Sequence, residues 1–98
     1  FNKIEIKKCI NHINKANCFA KRFAAKEAFA KAIGTGISKG INFNEIIVDN
    51  IKSGKPNIKL SGTTKKIVYK ILKKKNFDIF LTLSDDKPFA LATVVVSV

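Results

Sequence analysis

The sequence predicts an α+β fold in which an antiparallel sheet wraps around a central helix. Three observations point there: helical apolar spacing fills the first third of the chain, β-branched and alternating runs fill the rest, and one amphipathic helical stretch lies between the runs. The 98 residues make a single domain, 1–98, because a chain of this length supports one core.

Each element follows from its own pattern. In "KIEIKKCINHINK", residues 3–15, Ile6, Cys9, Ile10 and Ile13 recur at helical spacing, which predicts a short amphipathic helix broken near Asn14 to Asn17. Asn17 is then the expected N-cap of an alanine-rich helix over 18–33, with Gly34 as its C′ residue. Residues 43–49, "FNEIIVD", predict a strand, and "NIKSGKP" after them is turn chemistry. A short strand is expected at 57–60 and a helix at 63–75, with Ile67, Ile71 and Leu72 on one face and Val68 beside them. Strands at 78–83 and 89–98, separated by "SDDKP", close the chain.

Composition bounds the function. Nineteen Lys and Arg against seven Asp and Glu give a net charge of +12, which favours an anionic partner. No apolar run approaches the ~20 residues a bilayer span requires, so the expectation is a soluble protein without a membrane partner. Cys9 and Cys18 suit free thiols in a reduced, cytoplasmic compartment, and Cys9, His12 and Cys18 lack the fourth ligand of a zinc site. The chain starts at Phe1 and holds no methionine, so further residues are expected upstream.

The stretch "RFAAKEAFAKAIGTGISKG" carries the chemistry. A helical wheel at about 100° per residue places Glu27 among Phe19, Phe23 and Ala30, with Ala20 and Ala24 on its other side. A carboxylate there calls for a metal, a basic partner or a proton, and Lys31 is in the favourable i,i+4 position for an ordinary helix pair. The alternative is a divalent cation held by Glu27, with Arg22, Lys26 and Lys31 neutralising phosphate charge. The Gly-Thr-Gly turn allows a ligand close to the backbone, although neither a Walker motif nor GxGxxG is present.

The same stretch closely resembles the signature of the holo-acyl-carrier-protein synthases, R-F-(A/S)-x-K-E-A-x-x-K-A-(hydrophobic)-G-T-G. "NEIIVDN" followed by "GKP", "LTLSDD" before "ALATVVV", and a helix start like F-T-x-x-E at Phe1 extend the resemblance along nearly the whole chain. It implies the phosphopantetheinyl transferase fold. It also implies Mg²⁺-dependent transfer of the 4′-phosphopantetheine arm of coenzyme A to a serine of apo acyl carrier protein, in fatty acid biosynthesis, by a cytoplasmic homotrimer.

By the resemblance, Glu27 is the metal ligand and a catalytic residue, and Lys31 lies near the pyrophosphate as a second catalytic and cofactor-binding residue. Arg22 takes the cofactor's 3′-phosphate. Gly34 and Thr35 form the turn at the pocket, and Gly54, Lys55 and Pro56 the loop near the adenine. Lys26 belongs to the signature but sits about 100° from Glu27 on the wheel. A second metal-ligand aspartate and the residues that dock the carrier protein are expected upstream of Phe1. Where many members read Ser-His, this chain reads Ser84-Asp85. Ser84 keeps the cofactor-binding position, whereas an ionised aspartate would repel the phosphate.

Two other readings stand beside it. One is a basic nucleic-acid-binding module using Lys65, Lys66, Lys70 and Lys73 to Lys75 on phosphates, which leaves Glu27 and the glycine turn unexplained. The other is a non-catalytic relative, motivated by Ser84-Asp85.

Overall fold

A computed structural model describes residues 1–36, 39–74, 76–86 and 89–98. Ile37 and Ser38 of the glycine turn, Lys75 of the lysine run, and Lys87 and Pro88 of the "SDDKP" turn lie outside the described residues. The elements run α1 (Lys3–Ile10), α2 (Lys15–Ala32), a 3-10 turn (Phe43–Glu45), β1 (Ile46–Asn50), β2 (Pro56–Leu60), α3 (Gly62–Leu72), β3 (Asp78–Asp86) and β4 (Phe89–Ser97). The strands pair as two antiparallel hairpins, β1 with β2 and β3 with β4. Helix α2 packs against β4, β3 and β1, so the central helix is the long alanine-rich one. No helix among the described residues is long and apolar enough to cross a membrane.

The core gathers Ala25 and Phe29 of α2, Ile46 and Val48 of β1, Ile58 of β2, Val68 of α3 and Leu81 of β3. Helices α1 and α2 bury a different side from the one their apolar residues alone predict, whereas α3 turns Ile67, Val68 and Leu72 to the core as expected. In α1 the buried residues are Glu5 and Cys9, while Ile4, Ile6 and Ile10 remain exposed. In α2 the buried set is Cys18, Arg22, Ala25, Lys26, Phe29 and Ala30, and Phe23 stays exposed with its ring edge-on to Phe43 at 5.7 Å. In α3 Thr64 and Val68 face inward, and Ile71 is exposed.

The cause is pairing between distant residues. The Glu5 carboxylate caps α1 by accepting from the Asn2 amide at 2.9 Å, and it also accepts from the Val48 amide at 2.9 Å and from Lys26 Nζ at 2.6 Å. The Lys26 ammonium donates further to the Phe43 carbonyl at 2.5 Å. Burial pushes the Lys26 pKa below its ordinary value, the Glu5 hydrogen bond and charge oppose that shift, and the Arg22 charge adds to it.

Both cysteines correct the free-thiol expectation. Cys9 and Cys18 form a disulfide with Cα atoms 5.5 Å apart, because the end of α1 folds back on the start of α2 and brings the two buried sulfurs together. The bond consumes both sulfurs, and among the described residues no group of three or more His, Cys, Asp or Glu side chains is placed to hold a metal.

The helix ends are set by capping. Asn14, not Asn17, is the N-cap of α2: its side chain accepts from the Asn17 amide at 3.1 Å, which leaves the Asn17 side chain free for other work. At the other end Gly34, at φ 84°, is C′ as expected, and the Thr35 and Gly36 amides both donate to the Ala30 carbonyl at 3.1 Å. Helix α3 has no side-chain cap from Ser61. Glu45 supplies it instead, accepting from the Thr63 and Thr64 amides at 3.1 and 3.0 Å and from Thr64 Oγ1 at 2.8 Å.

A candidate anion site on the central helix

A cleft of about 300 Å³ opens between the start of α2, the end of α1 and the β1–β2 hairpin, floored by Val48, Pro56 and Leu83. Basic side chains surround it: Lys8 from α1, His12 from the α1–α2 connection, and Lys21 and Arg22 from α2. Helix α2 supplies adjacent residues to one cleft because its first turns lie across the hairpin, with Cys18 beside them on the wall.

These cations are not equivalent. Lys8 lies 3.5 Å from Asp49, whose carboxylate also lines the cleft, and it donates to Asn50 Oδ1 as well. The Asp49 carboxyl is held below its ordinary range chiefly by the Asn50 backbone amide, which outweighs desolvation, with the Lys8 charge and hydrogen bond and then the Arg22 charge adding to it. Lys21 lies 2.9 Å from Asp85. Arg22 is buried at 7% exposure, and its Nη1 donates to the Cys18 carbonyl and to Cys18 Sγ, each at 3.1 Å. Its Nε is buried with no hydrogen-bond partner, and among the described residues no carboxylate lies within ion-pair distance. A buried guanidinium with an orphaned donor beside an open cleft is prepared for an anion from outside the chain.

Of the residues singled out from the sequence, the structure brings Arg22 and Pro56 together on this cleft. Gly54 and Lys55 are exposed in the loop leading to Pro56. That loop is closed by the Ile51 amide on the Lys55 carbonyl at 2.9 Å and by Asn50 Nδ2 on the Gly54 carbonyl at 2.8 Å. Glu27 is half-buried on α2, and Lys31 is exposed in its last turn. No ion pair joins the two, so the ordinary helix pair is not formed and the Glu27 carboxylate has no cation partner among the described residues. Gly34 and the buried Thr35 follow the helix end, with Thr35 Oγ1 on the Gly36 carbonyl at 3.0 Å. Ser84 is exposed on β3. Lys26 points away from any ligand, into the pair with Glu5.

The sequence missed Lys8, His12, Asn17 and Lys21. Nothing in the chain order marks them, since they converge only once α1 folds back on α2. His12, weighed from the sequence as a zinc ligand beside Cys9 and Cys18, is exposed on the cleft wall, and its Nδ1 accepts from the Asn14 amide at 3.0 Å.

Comparison with known proteins gives this arrangement a setting. Residues 1–94 match the family model of the 4′-phosphopantetheinyl transferase superfamily. The chain is 45% identical over 95 residues to the holo-[acyl-carrier-protein] synthase of Pelagibacter ubique, covering 97% of this chain and 74% of that protein. It is 46% identical over 98 residues to the holo-[acyl-carrier-protein] synthase of Bartonella bacilliformis, covering 98% of this chain and 73% of that one. The crystal structure of the Helicobacter pylori holo-[acyl-carrier-protein] synthase in complex with coenzyme A superposes with a TM-score of 0.78 at 32% identity, over 99% of this chain and 76% of that one.

Proposed function

Since the chain belongs to the 4′-phosphopantetheinyl transferase superfamily, as an enzyme of the holo-[acyl-carrier-protein] synthase type, we propose that Arg22 and its cleft hold the phosphorylated nucleotide end of coenzyme A. The observation that carries this reading is the buried Arg22 guanidinium, whose Nε has no hydrogen-bond partner and which has no carboxylate within ion-pair distance among the described residues. Pro56 on the same cleft, with Gly54 and Lys55 in the loop before it, suits the flat face of an adenine.

The reaction moves the 4′-phosphopantetheine arm of coenzyme A to a serine of apo acyl carrier protein. The serine oxygen bonds to the β-phosphorus and gives up its proton to water, the bond from that phosphorus to the bridging oxygen breaks, and the electron pair leaves with adenosine 3′,5′-bisphosphate. Such a displacement requires positioning and charge neutralisation. Lys31 is exposed one helical turn beyond Glu27 and supplies a cation for the pyrophosphate. Gly34 and Thr35 present backbone next to it, and Ser84 offers a hydroxyl from β3.

Glu27 would hold a divalent cation. Mg²⁺ takes one or two carboxylates together with phosphate oxygens and water, which fits a half-buried carboxylate that has no cation partner among the described residues. When bound, the metal supplies positive charge to the pyrophosphate. The proposed cellular setting is the cytoplasm and fatty acid biosynthesis, on the ground of the family and not of the cysteines, which are joined.

The proposed assembly is a homotrimer, supported by exposed apolar side chains on one face of the β3–β4 hairpin, where Phe80, Phe89, Leu91 and Val95 are each about half exposed or more. The test is mass spectrometry of apo acyl carrier protein incubated with coenzyme A, Mg²⁺ and the intact protein. A gain of one phosphopantetheine arm, lost in EDTA, is expected. No gain would overturn the reading.

A further inference from the structure

We propose that Lys21 is a second ligand for the cofactor's phosphomonoester, and that Asp85 and Asn17 are positioning residues which aim it. The inference rests on the reading that Arg22 holds that phosphate. The sequence set Asp85 against the phosphate, as a carboxylate that would repel it. The structure gives the carboxylate a different neighbourhood: Oδ2 lies 2.9 Å from Lys21 Nζ, and Oδ1 accepts from Asn17 Nδ2 at 2.6 Å.

The placement of these groups decides their roles. Lys21 and Asn17 line the cleft beside Arg22, and Asp85 does not. The ammonium thus lines the cleft, while the carboxylate that holds it is an exposed side chain of β3 outside the lining. Lys8 on the opposite wall is arranged the other way, because its partner Asp49 shares the cleft lining and presents negative charge there. Lys21 is thus the cleft lysine whose ion-pair partner lies outside the lining.

The tether also has a source in the fold. Leu83 on the cleft floor lies two residues before Asp85 along β3, so the strand that floors the cleft carries the carboxylate up to the first turns of α2. The N-cap at Asn14 frees the Asn17 side chain to reach it. A lysine fixed at one end by a carboxylate and at its helix by an adjacent buried arginine loses little further freedom when a phosphate arrives. Arg22 and Lys21 together distinguish a nucleotide carrying a phosphomonoester from one without it.

The experiment compares coenzyme A with 3′-dephospho-coenzyme A as donors in steady-state transfer by the intact enzyme. The variants are Lys21→Ala, Lys21→Arg, Asp85→Ala and, as a control for overall charge, Lys66→Ala on the exposed face of α3. Lys21→Ala should raise KM for coenzyme A about tenfold with kcat within about twofold, and leave the dephospho donor unchanged. Lys21→Arg should restore most of the loss, and Lys66→Ala should change neither donor.

Asp85→Ala tests the positioning role by sign. Loss of aim predicts a weaker preference for coenzyme A, whereas relief of repulsion predicts a stronger one, and a stronger preference overturns the proposal. An unchanged donor ratio in Lys21→Ala, while Arg22→Ala collapses that ratio, overturns it too but leaves the Arg22 reading standing. A wild-type enzyme that uses both donors equally removes the Arg22 reading itself, and the proposal with it.

Discussion

The Lys26 ammonium sits 2.6 Å from the Glu5 carboxylate with 1% and 0% of the two side chains exposed, so α1 and α2 are joined by an ion pair sealed from water. Breaking such a pair from one side leaves an uncompensated buried charge, at a cost of about 3–5 kcal/mol. Lys26→Met is expected to lose that much in urea unfolding. Adding Glu5→Gln should recover part of the loss, because a neutral side chain oxygen still accepts from the Val48 amide. A loss under about 1 kcal/mol in the single variant would show that the pair does not hold the helices together.

Glu45 makes α3 sensitive to acid. Its carboxyl is held below its ordinary value of 4.5 by hydrogen bonds, first from Asn42 and then from the Thr64 hydroxyl and amide. A depressed folded pKa means stability present above the unfolded value and lost as pH falls through the folded one. Thermal melts should therefore show wild type losing ground to Glu45→Gln below about pH 4.5. The same carboxylate explains Gly62: its φ is 56°, and an added Cβ would lie 1.8 Å from Glu45 Oε2. Gly62→Ala should cost about 1–3 kcal/mol, through left-handed strain and loss of the cap.

The Cys9–Cys18 bond closes a short loop, with a sequence separation of 9. Chain entropy for a loop of this size corresponds to about 2–3 kcal/mol. Cys9→Ser with Cys18→Ser is expected to lower unfolding stability by that amount. Alkylation without reductant should add no label to protein purified in air, and labelling at both sites would return the free-thiol reading.

What the sequence revealed and what it hid divide along physical lines. The elements were legible because caps, glycines and β-branched runs are local signals: Gly34 ends α2, and the strand pattern of 78–83 grew only to Asp86 in β3. The buried faces were not. Ranking side chains by polarity puts Phe23 inside and Lys26 outside, and only the partner Glu5, twenty-one residues away, reverses that order. For the same reason Asp85 read as a liability beside a phosphate until Lys21 and Asn17 were found against it. Arg22 and Pro56 were placed on one cleft by resemblance, while the chemistry of the orphaned Nε became visible only in three dimensions.

Glu27→Ala separates the metal role from folding. The side chain is half-buried and takes part in no ion pair among the described residues, so its removal should move the thermal midpoint by only a degree or two. If it holds the cation that neutralises the pyrophosphate, transfer to acyl carrier protein should fall about 100-fold or more, and a higher Mg²⁺ concentration should be needed for half-maximal rate. An unchanged rate would remove Glu27 from the reaction.

The outer face of the β3–β4 hairpin tests assembly. Phe80 and Val95 are cross-strand partners, and Leu91 and Phe89 follow on the same face of β4, with the Thr82–Thr93 pair between them and Ser84 opposite Leu91. Their exposures run from 48% to 66%, and burying a Phe or Leu completely is worth about 1.5–3 kcal/mol. Several such side chains in one strip favour covering by further copies of the chain, since a like strip on each copy supplies the matching surface. Leu91→Asp places a charge in that contact, where desolvation opposes it. Sedimentation at micromolar concentration should show three chains in the wild type and a shift towards single chains in the variant. A wild type that sediments as a monomer would leave the strip without a partner of its own kind.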